Sequence, residues 1–218
     1  MRSQTTSSIG NSSLLFLVIF TVFVVPVFPQ GWHRLMFSLL YTGIFVMASL
    51  ALTRHRKKIL WLAGLAILTE WIAGALGMQI LTAISEGVNI IFFLIVVIGL
   101  ILQVAKKTEV TVQVIMEAIN GYLLLGMVFS ILVGFIMLYE PAAYNFPPVD
   151  PELGDVSHFS NYLYFGFVTF TTVGYGDVLP QLPYTKSLAI FTGVAGQIYV
   201  AVIIAMLVGK FSSNSKGE

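Results

Sequence analysis

The chain has 218 residues, of which 57% are hydrophobic and only 10% charged, and its mean hydropathy is +0.92. A soluble domain carries about 25% charged residues, so this composition excludes one and points to an integral membrane protein. Cysteine is absent, which excludes a disulfide framework and thiolate chemistry; a net charge of +1 says little by itself, its distribution says more, and no nucleic-acid partner is expected.

Six stretches are long and apolar enough to span a bilayer, at about 13–29, 34–53, 59–82, 87–105, 113–139 and 187–210. The first contains the apolar run Leu14 to Val25. It ends at Pro26 and Pro29 without a small-residue cleavage pattern, so it reads as a retained helix rather than a signal peptide. The third is rich in small residues, among them Ala63, Gly64, Ala66, Ala73 and Gly74, which favours close packing on a neighbouring helix. It also holds Glu70, on this reading the one acidic residue at mid-membrane depth. An intramembrane acid is costly, so Glu70 is expected either to sense protons or to be bonded to a polar neighbour. The fourth stretch has no basic residue within its span.

Between the fourth and fifth stretches, Val110, Val114, Ile115 and Ala118 recur at helical spacing among Lys106, Lys107, Glu109, Gln113 and Glu117. Two readings are open: an amphipathic helix lying along the interface, or an extension of helix five. Phe159 to Thr171 is apolar but too short to cross, and fits a re-entrant helix surrounded by protein.

Basic residues set the orientation. Arg2, Arg54, Arg56, Lys57, Lys58, Lys106, Lys107, Lys210 and Lys216 share one side if both termini are cytoplasmic. Arg34 and Lys186 are left on the other, with Glu86, Glu140, Asp150, Glu152, Asp155 and Asp177. From Glu140 to Asp177 there are five carboxylates and no Lys or Arg. Such a loop is a solvated acidic surface that also concentrates cations. His158 lies within it and is a candidate for external pH sensing.

The most specific signal is Thr171-Thr172-Val173-Gly174-Tyr175-Gly176-Asp177. A dehydrated cation needs a ring of oxygens in place of its water. Backbone carbonyls supply it only when successive residues alternate between right- and left-handed conformations. Gly174 and Gly176 adopt the left-handed one without a Cβ penalty, and the Thr172 hydroxyl can add an oxygen at the inner end. The heptad resembles, residue for residue, the selectivity filter of the tetrameric potassium-channel superfamily. The flanking helices match that context.

The resemblance implies an all-α membrane protein with six transmembrane helices, a re-entrant pore helix and a filter loop. One filter per chain implies a homotetramer. Residues 1–106 would form a four-helix domain like a voltage sensor, and residues 107–218 the pore domain. K+ would be held at Thr172, Val173, Gly174 and Tyr175, with Gly176 enabling the geometry. In the superfamily the Asp closing the heptad is tied to a pore-helix carboxylate or Trp. The matching positions here are Val168 and Tyr164, so Tyr164 is expected to donate to Asp177 in place of the missing carboxylate.

Gly196 lies where relatives carry a hinge glycine on the inner helix; close helix packing is the alternative for Gly193 and Gly196. Below it, Val200, Ile204 and Val208 are candidates for a hydrophobic gate. Gln197 is expected to face the cavity or a neighbouring helix. Voltage-gated relatives carry arginines along helix four, and none stands here, which argues against steep voltage gating. The chain resembles most closely the short prokaryotic six-helix potassium channels with an uncharged fourth helix.

The expected function is therefore passive, potassium-selective conduction in a cell membrane, with a prokaryotic inner membrane implied by the resemblance. The alternatives are a weakly selective cation channel and a non-conducting regulatory subunit. No cofactor is expected beyond K+ as the permeant ion, and membrane lipid is the expected surroundings. The eight residues after helix six leave no room for a cytoplasmic sensing domain, so any such regulator would be another chain. His33, His55 and His158 are far apart and no nucleophile–base pattern is visible, so an enzyme is not expected.

Overall fold

The computed structural model describes residues 2–28, 32–53, 56–147 and 156–214. These residues are all-helical apart from loops. α1 is Arg2–Ile19, α2 His33–Ala51, α3 Arg56–Leu76, α4 Gln79–Lys106, α5 Val112–Tyr139, α6 Val156–Phe170 and α7 Pro183–Asn214. α1 runs on into a π turn at Phe20–Val24 and a 3-10 turn at Val25–Val27. Pro26 lacks the N–H that a regular helix would need there. Among the described residues, five helices are long and apolar enough to cross a membrane, and α2 contributes a shorter apolar helix, Leu35–Ala51. The chain is a multi-pass membrane protein.

Helices α1 to α4 pack consecutively, and both α1 and α4 also pack against α5. Only Lys107 to Thr111 separate α4 from α5, so the bundle docks on the α5 that directly follows it. α5 in turn carries α6, which lies against α7. The bundle core is aromatic. Phe45 stacks on Phe93 with centroids 5.3 Å apart and meets Phe92 edge-on at 5.0 Å. Phe159, at the start of α6, meets Phe37 and Tyr41 of α2 at 5.0 and 5.8 Å, tying the short helix to the bundle.

The helix boundaries differ from hydropathy where polar side chains find partners inside. α1 begins at Arg2, not near residue 13. Its buried Ser7 donates to the Ala51 carbonyl at 2.8 Å, and Asn11 donates to the Ser7 carbonyl at 3.0 Å. α3 stops at Leu76 rather than near residue 82 because Gly77 takes φ 62° and its amide closes on the Ala73 carbonyl at 2.9 Å. α4 can therefore start eight residues before position 87, at Gln79. Gln79 donates to the Leu138 carbonyl at 2.7 Å. The segment before helix five is its extension from Val112, with the Thr111 hydroxyl accepting from the Val114 amide at 3.4 Å.

A second acid is enclosed by protein near the start of α5. Glu117, on the first turns of α5, has no exposed surface. It accepts from Lys107 Nζ at 2.8 Å, Gln113 Nε2 at 3.1 Å and Asn11 Nδ2 at 3.4 Å. Asn120 donates to the Asn11 carbonyl at 2.9 Å. This polar node joins the N-terminal helix to the base of α5. The Lys107 side chain keeps 34% of its surface exposed, so the pair is only partly desolvated. Lys107→Met leaves a buried carboxylate without its cation and is expected to destabilise by about 2 kcal/mol, below the 3–5 kcal/mol typical of a fully buried pair. Lys107→Met/Glu117→Gln is expected to recover most of that loss, as read by thermal unfolding of the detergent-solubilised protein. Equal loss in both variants would show that the ion pair does not hold the node.

Candidate functional site: the loop after the short helix

α6 has 15 residues and rises about 22 Å at 1.5 Å per residue, too short for the ~30 Å hydrocarbon core. Its last turn decides the loop that follows. The Thr171 amide donates to the Phe167 carbonyl at 2.8 Å and that of Thr172 to Thr169 at 3.0 Å. The amides of Val173 and Gly174 both donate to the Val168 carbonyl, at 3.0 and 3.2 Å. Four successive N–H groups are thus turned back onto the helix end.

Handedness then alternates along the loop. Thr172 has φ 62°, Gly174 φ 53° and Gly176 φ 79°, and no other described non-glycine residue has a positive φ. The left-handed Thr172 was not anticipated. A non-glycine residue there carries strain of about 1–3 kcal/mol. The Thr-Val-Gly-Tyr-Gly spacing contained the signal, because alternation through positions 174 and 176 extends back to 172.

The outer end of the loop is held by side chain and by backbone. Tyr164 Oη donates to Asp177 Oδ2 at 2.6 Å. That bond pushes the Tyr164 hydroxyl up to about 12 and holds the Asp177 carboxyl below its ordinary 3.8. Beyond it, Asn145 Oδ1 accepts from the Leu179 amide. The Gln181 amide donates to the Ala143 carbonyl at 2.9 Å, and Thr185 Oγ1 donates to the same carbonyl at 3.3 Å. A second small core of Val133, Ala143, Tyr144, Phe165 and Val178 fills the space beneath. Asn145 and Thr185 were not singled out in the sequence. A short polar residue bounding an aromatic-proline turn was the only signal for Asn145.

The inner end rests on α7. Gln197 Nε2 donates to Thr172 Oγ1 at 3.3 Å, so Gln197 faces the loop of its own chain. Gly196 is buried, and a Cβ on it would stand 2.0 Å from the Phe170 carbonyl oxygen. The geometry at this position is that of close approach. Phe170 itself is fully buried against Tyr122 and Phe129, with centroids at 4.7 and 5.7 Å. Below, Val200 is half-buried, while Ile204 and Val208 are 54% and 61% exposed in the single chain. Val173 and Tyr175 are likewise 52% and 72% exposed.

Two candidates stand away from this loop. Glu70 Oε2 accepts from Ser85 Oγ at 2.9 Å and Asn89 Nδ2 at 3.0 Å, so it is bonded to polar neighbours on α4. The His158 side chain, with Asp150, Glu152 and Asp155 of the acidic loop, lies outside the described residues, as do the side chains of His33 and Arg34 and residues Arg54, His55 and Lys216.

With this geometry in view, the match to a known family falls where the loop lies. Residues 131–213 match a family described as ion channel. The potassium voltage-gated channel subfamily A member 10 of Mus musculus is 32% identical over 89 residues, 39% of this chain and 16% of that protein. The small conductance calcium-activated potassium channel-like protein 3 of Caenorhabditis elegans is 41% identical over 49 residues, 22% of this chain and 7% of that protein. The voltage-gated potassium channel KCNC1 of Mus musculus is 29% identical over 97 residues, 42% of this chain and 19% of that protein. The chain spans less than a fifth of the length of these curated relatives. No solved structure matches. The similarity supports the resemblance to the tetrameric potassium-channel superfamily over the C-terminal part of the chain.

Gly196→Ala drives a methyl into the Phe170 carbonyl and is expected to lower stability by about 1–3 kcal/mol, read as a fall in thermal midpoint. A change within a few tenths would mean α7 can withdraw freely. The Tyr164–Asp177 bond has a definite pH window. Asp177 titrates below its unfolded value, so its contribution is complete above 3.8 and lost as pH falls through the lower folded value. Tyr164 titrates above its unfolded value, so its contribution is complete below 10.0 and lost as pH rises through about 12. The stability difference between the parent and Tyr164→Phe should be flat from about pH 5 to pH 9 and shrink outside that range. A step near neutrality would assign the effect to another group.

Proposed function

We propose that four copies of this chain form a pore that conducts K+ passively, with the loop 172–176 as its selectivity filter. The observation that carries this reading is the alternation of positive φ at Thr172, Gly174 and Gly176, which carbonyl ligation along one axis requires. Thr172, Val173, Gly174 and Tyr175 would supply the oxygens, and the hydroxyl of Thr172 is already oriented by Gln197. α6 would be the pore helix, with the negative end of its dipole toward the cavity. Residues 1–106 would form the peripheral four-helix domain and residues 107–218 the pore domain.

The tetramer is supported by what one chain leaves uncovered. Ile190, Phe191, Val194 and Ile198 of α7 are 70%, 61%, 49% and 57% exposed on the helix that carries Gly196 and Gln197. Lipid could cover such side chains, but Val173 and Tyr175 belong to the loop itself, and neighbouring subunits would bury them. Cyclic symmetry then places four filters around one axis. The six helices α1 to α5 and α7 would cross the membrane with both termini cytoplasmic, as the basic residues favour. α4 carries no Arg, and its one basic residue, Lys106, is in the last turn. About 2.3 kcal/mol per charge per 100 mV is therefore not available along its length, and voltage dependence should be weak.

The test is the reversal potential of purified protein in planar bilayers, with K+ on one side and Na+ on the other. A reversal near the potassium equilibrium potential is expected. A reversal near zero would replace the reading with a weakly selective cation channel, and no current from verified tetramers across a range of pH would favour a non-conducting subunit. In the same bilayers, Tyr164→Phe is expected to speed loss of current while leaving the reversal potential in place. Unchanged inactivation would remove the brace from the mechanism.

A further inference from the structure

At the basic end of the four-helix domain, a groove of about 700 Å³ opens between the end of α2, the start of α3 and the end of α4. Its walls are apolar: Leu52, Ile59, Leu62, Ile95, Ile98 and Leu102. No residue of α5, α6 or α7 contributes to it. Ile95, Ile98 and Leu102 are 41%, 56% and 50% exposed, so the groove is open on the outer side of α4, while Val96, Val97, Leu100 and Val104 are buried on its other side. Gly99, which has no side chain, leaves room above the Leu52 methyls; a Cβ there would be 2.7 Å from Leu52 Cδ2.

The rim carries charge of one sign. Lys58 and Lys106 line the groove, both exposed. Neither lysine is in a salt bridge with an acid among the described residues. The acid nearest in sequence is Glu109, three residues after Lys106 and beyond the end of α4; it does not line the groove. Gln103 is not free to take a ligand's polar atoms. Its Oε1 accepts from the Thr53 amide and hydroxyl at 2.6 and 2.8 Å, and its Nε2 donates to the Ala51 carbonyl at 3.3 Å. It closes the groove by capping the end of α2.

We propose that this groove is a binding site for an acidic membrane phospholipid, with one acyl chain against Ile95, Ile98 and Leu102 and the phosphate between Lys58 and Lys106. The charge complementarity selects the occupant. Two ammonium groups on a groove lined by no carboxylate attract a net-negative headgroup and repel the outer cation of a choline headgroup. A free phosphate would satisfy the lysines but leave the apolar walls unfilled. The site goes beyond conduction and is read without ion flux, so its failure and the failure of the channel reading are separable.

The test is lipid binding to the full chain in detergent, counted by native mass spectrometry with dioleoylphosphatidylglycerol and dioleoylphosphatidylcholine as probes. The parent is expected to prefer phosphatidylglycerol. Lys58→Gln/Lys106→Gln should weaken phosphatidylglycerol about thirtyfold, at a tenfold change per 1.4 kcal/mol, and leave phosphatidylcholine unchanged. Ile98→Trp, which narrows the apolar part while keeping both lysines, should weaken phosphatidylglycerol as well. Equal binding of the two lipids to the parent, or undiminished phosphatidylglycerol binding in either variant, would overturn the proposal. Displacement by millimolar inorganic phosphate would also overturn it, because the site would then hold a phosphate and not a lipid.

Discussion

Everything in the C-terminal half depends on keeping a short peptide in an alternating backbone conformation that an ordinary chain does not hold. Two of the left-handed positions are glycines, where the conformation is nearly free. The third is Thr172, at φ 62°, where it is not. Something must therefore hold that residue. Its amide is bound to Thr169, its neighbours' amides to Phe167 and Val168, and its hydroxyl accepts from Gln197. The strain at Thr172 is set against four backbone bonds and one side-chain bond, each worth about 0.5–1.5 kcal/mol net.

The same logic explains the parts that are not in the loop. Tyr164 and Asp177 hold its outer end, and the segment beyond is pinned to Ala143 and Asn145. Gly196 lets α7 come within contact of the Phe170 carbonyl. The glycine that resembles a hinge is thus also the residue that allows α7 to support the loop from below. A methyl there would push the helix away from the structure it props, which is why stability and not only bending should respond to Gly196→Ala.

Residues 171–177 were legible in the sequence because their chemistry is local. Each choice follows from a dihedral angle or an oxygen, while the Tyr164–Asp177 pairing came from the resemblance, which sets Tyr164 at the position of the superfamily's pore-helix Trp. The long apolar spans were legible for the same reason, as hydropathy is a sum over neighbours. What escaped was non-local. Ser7 and Asn11 look like a polar leader until Ala51 and Glu117, far along the chain, supply their partners. Glu117 looks like one charge of an amphipathic linker until α1 covers it. Gly77 ends α3 within an apolar run that hydropathy reads straight through.

The contacts at the basic end of the bundle show how α4, which carries no Arg, is bound to the C-terminal half. Tyr199 of α7 is buried and donates to the Ala118 carbonyl of α5 at 2.8 Å. Further along α7, Lys210 Nζ donates to the carbonyls of Val104 and Ala105 at the end of α4. Those carbonyls have no intrahelical partner, and a cation there also meets the negative end of the helix dipole. Lys107 follows one residue after α4 ends and pairs with Glu117. The end of α4, the first turns of α5 and α7 are thus joined by four bonds from three side chains, Tyr199, Lys210 and Lys107. α4 meets α5 along its length and α7 at its end, so displacement of α4 and displacement of α7 cannot be independent while these bonds hold.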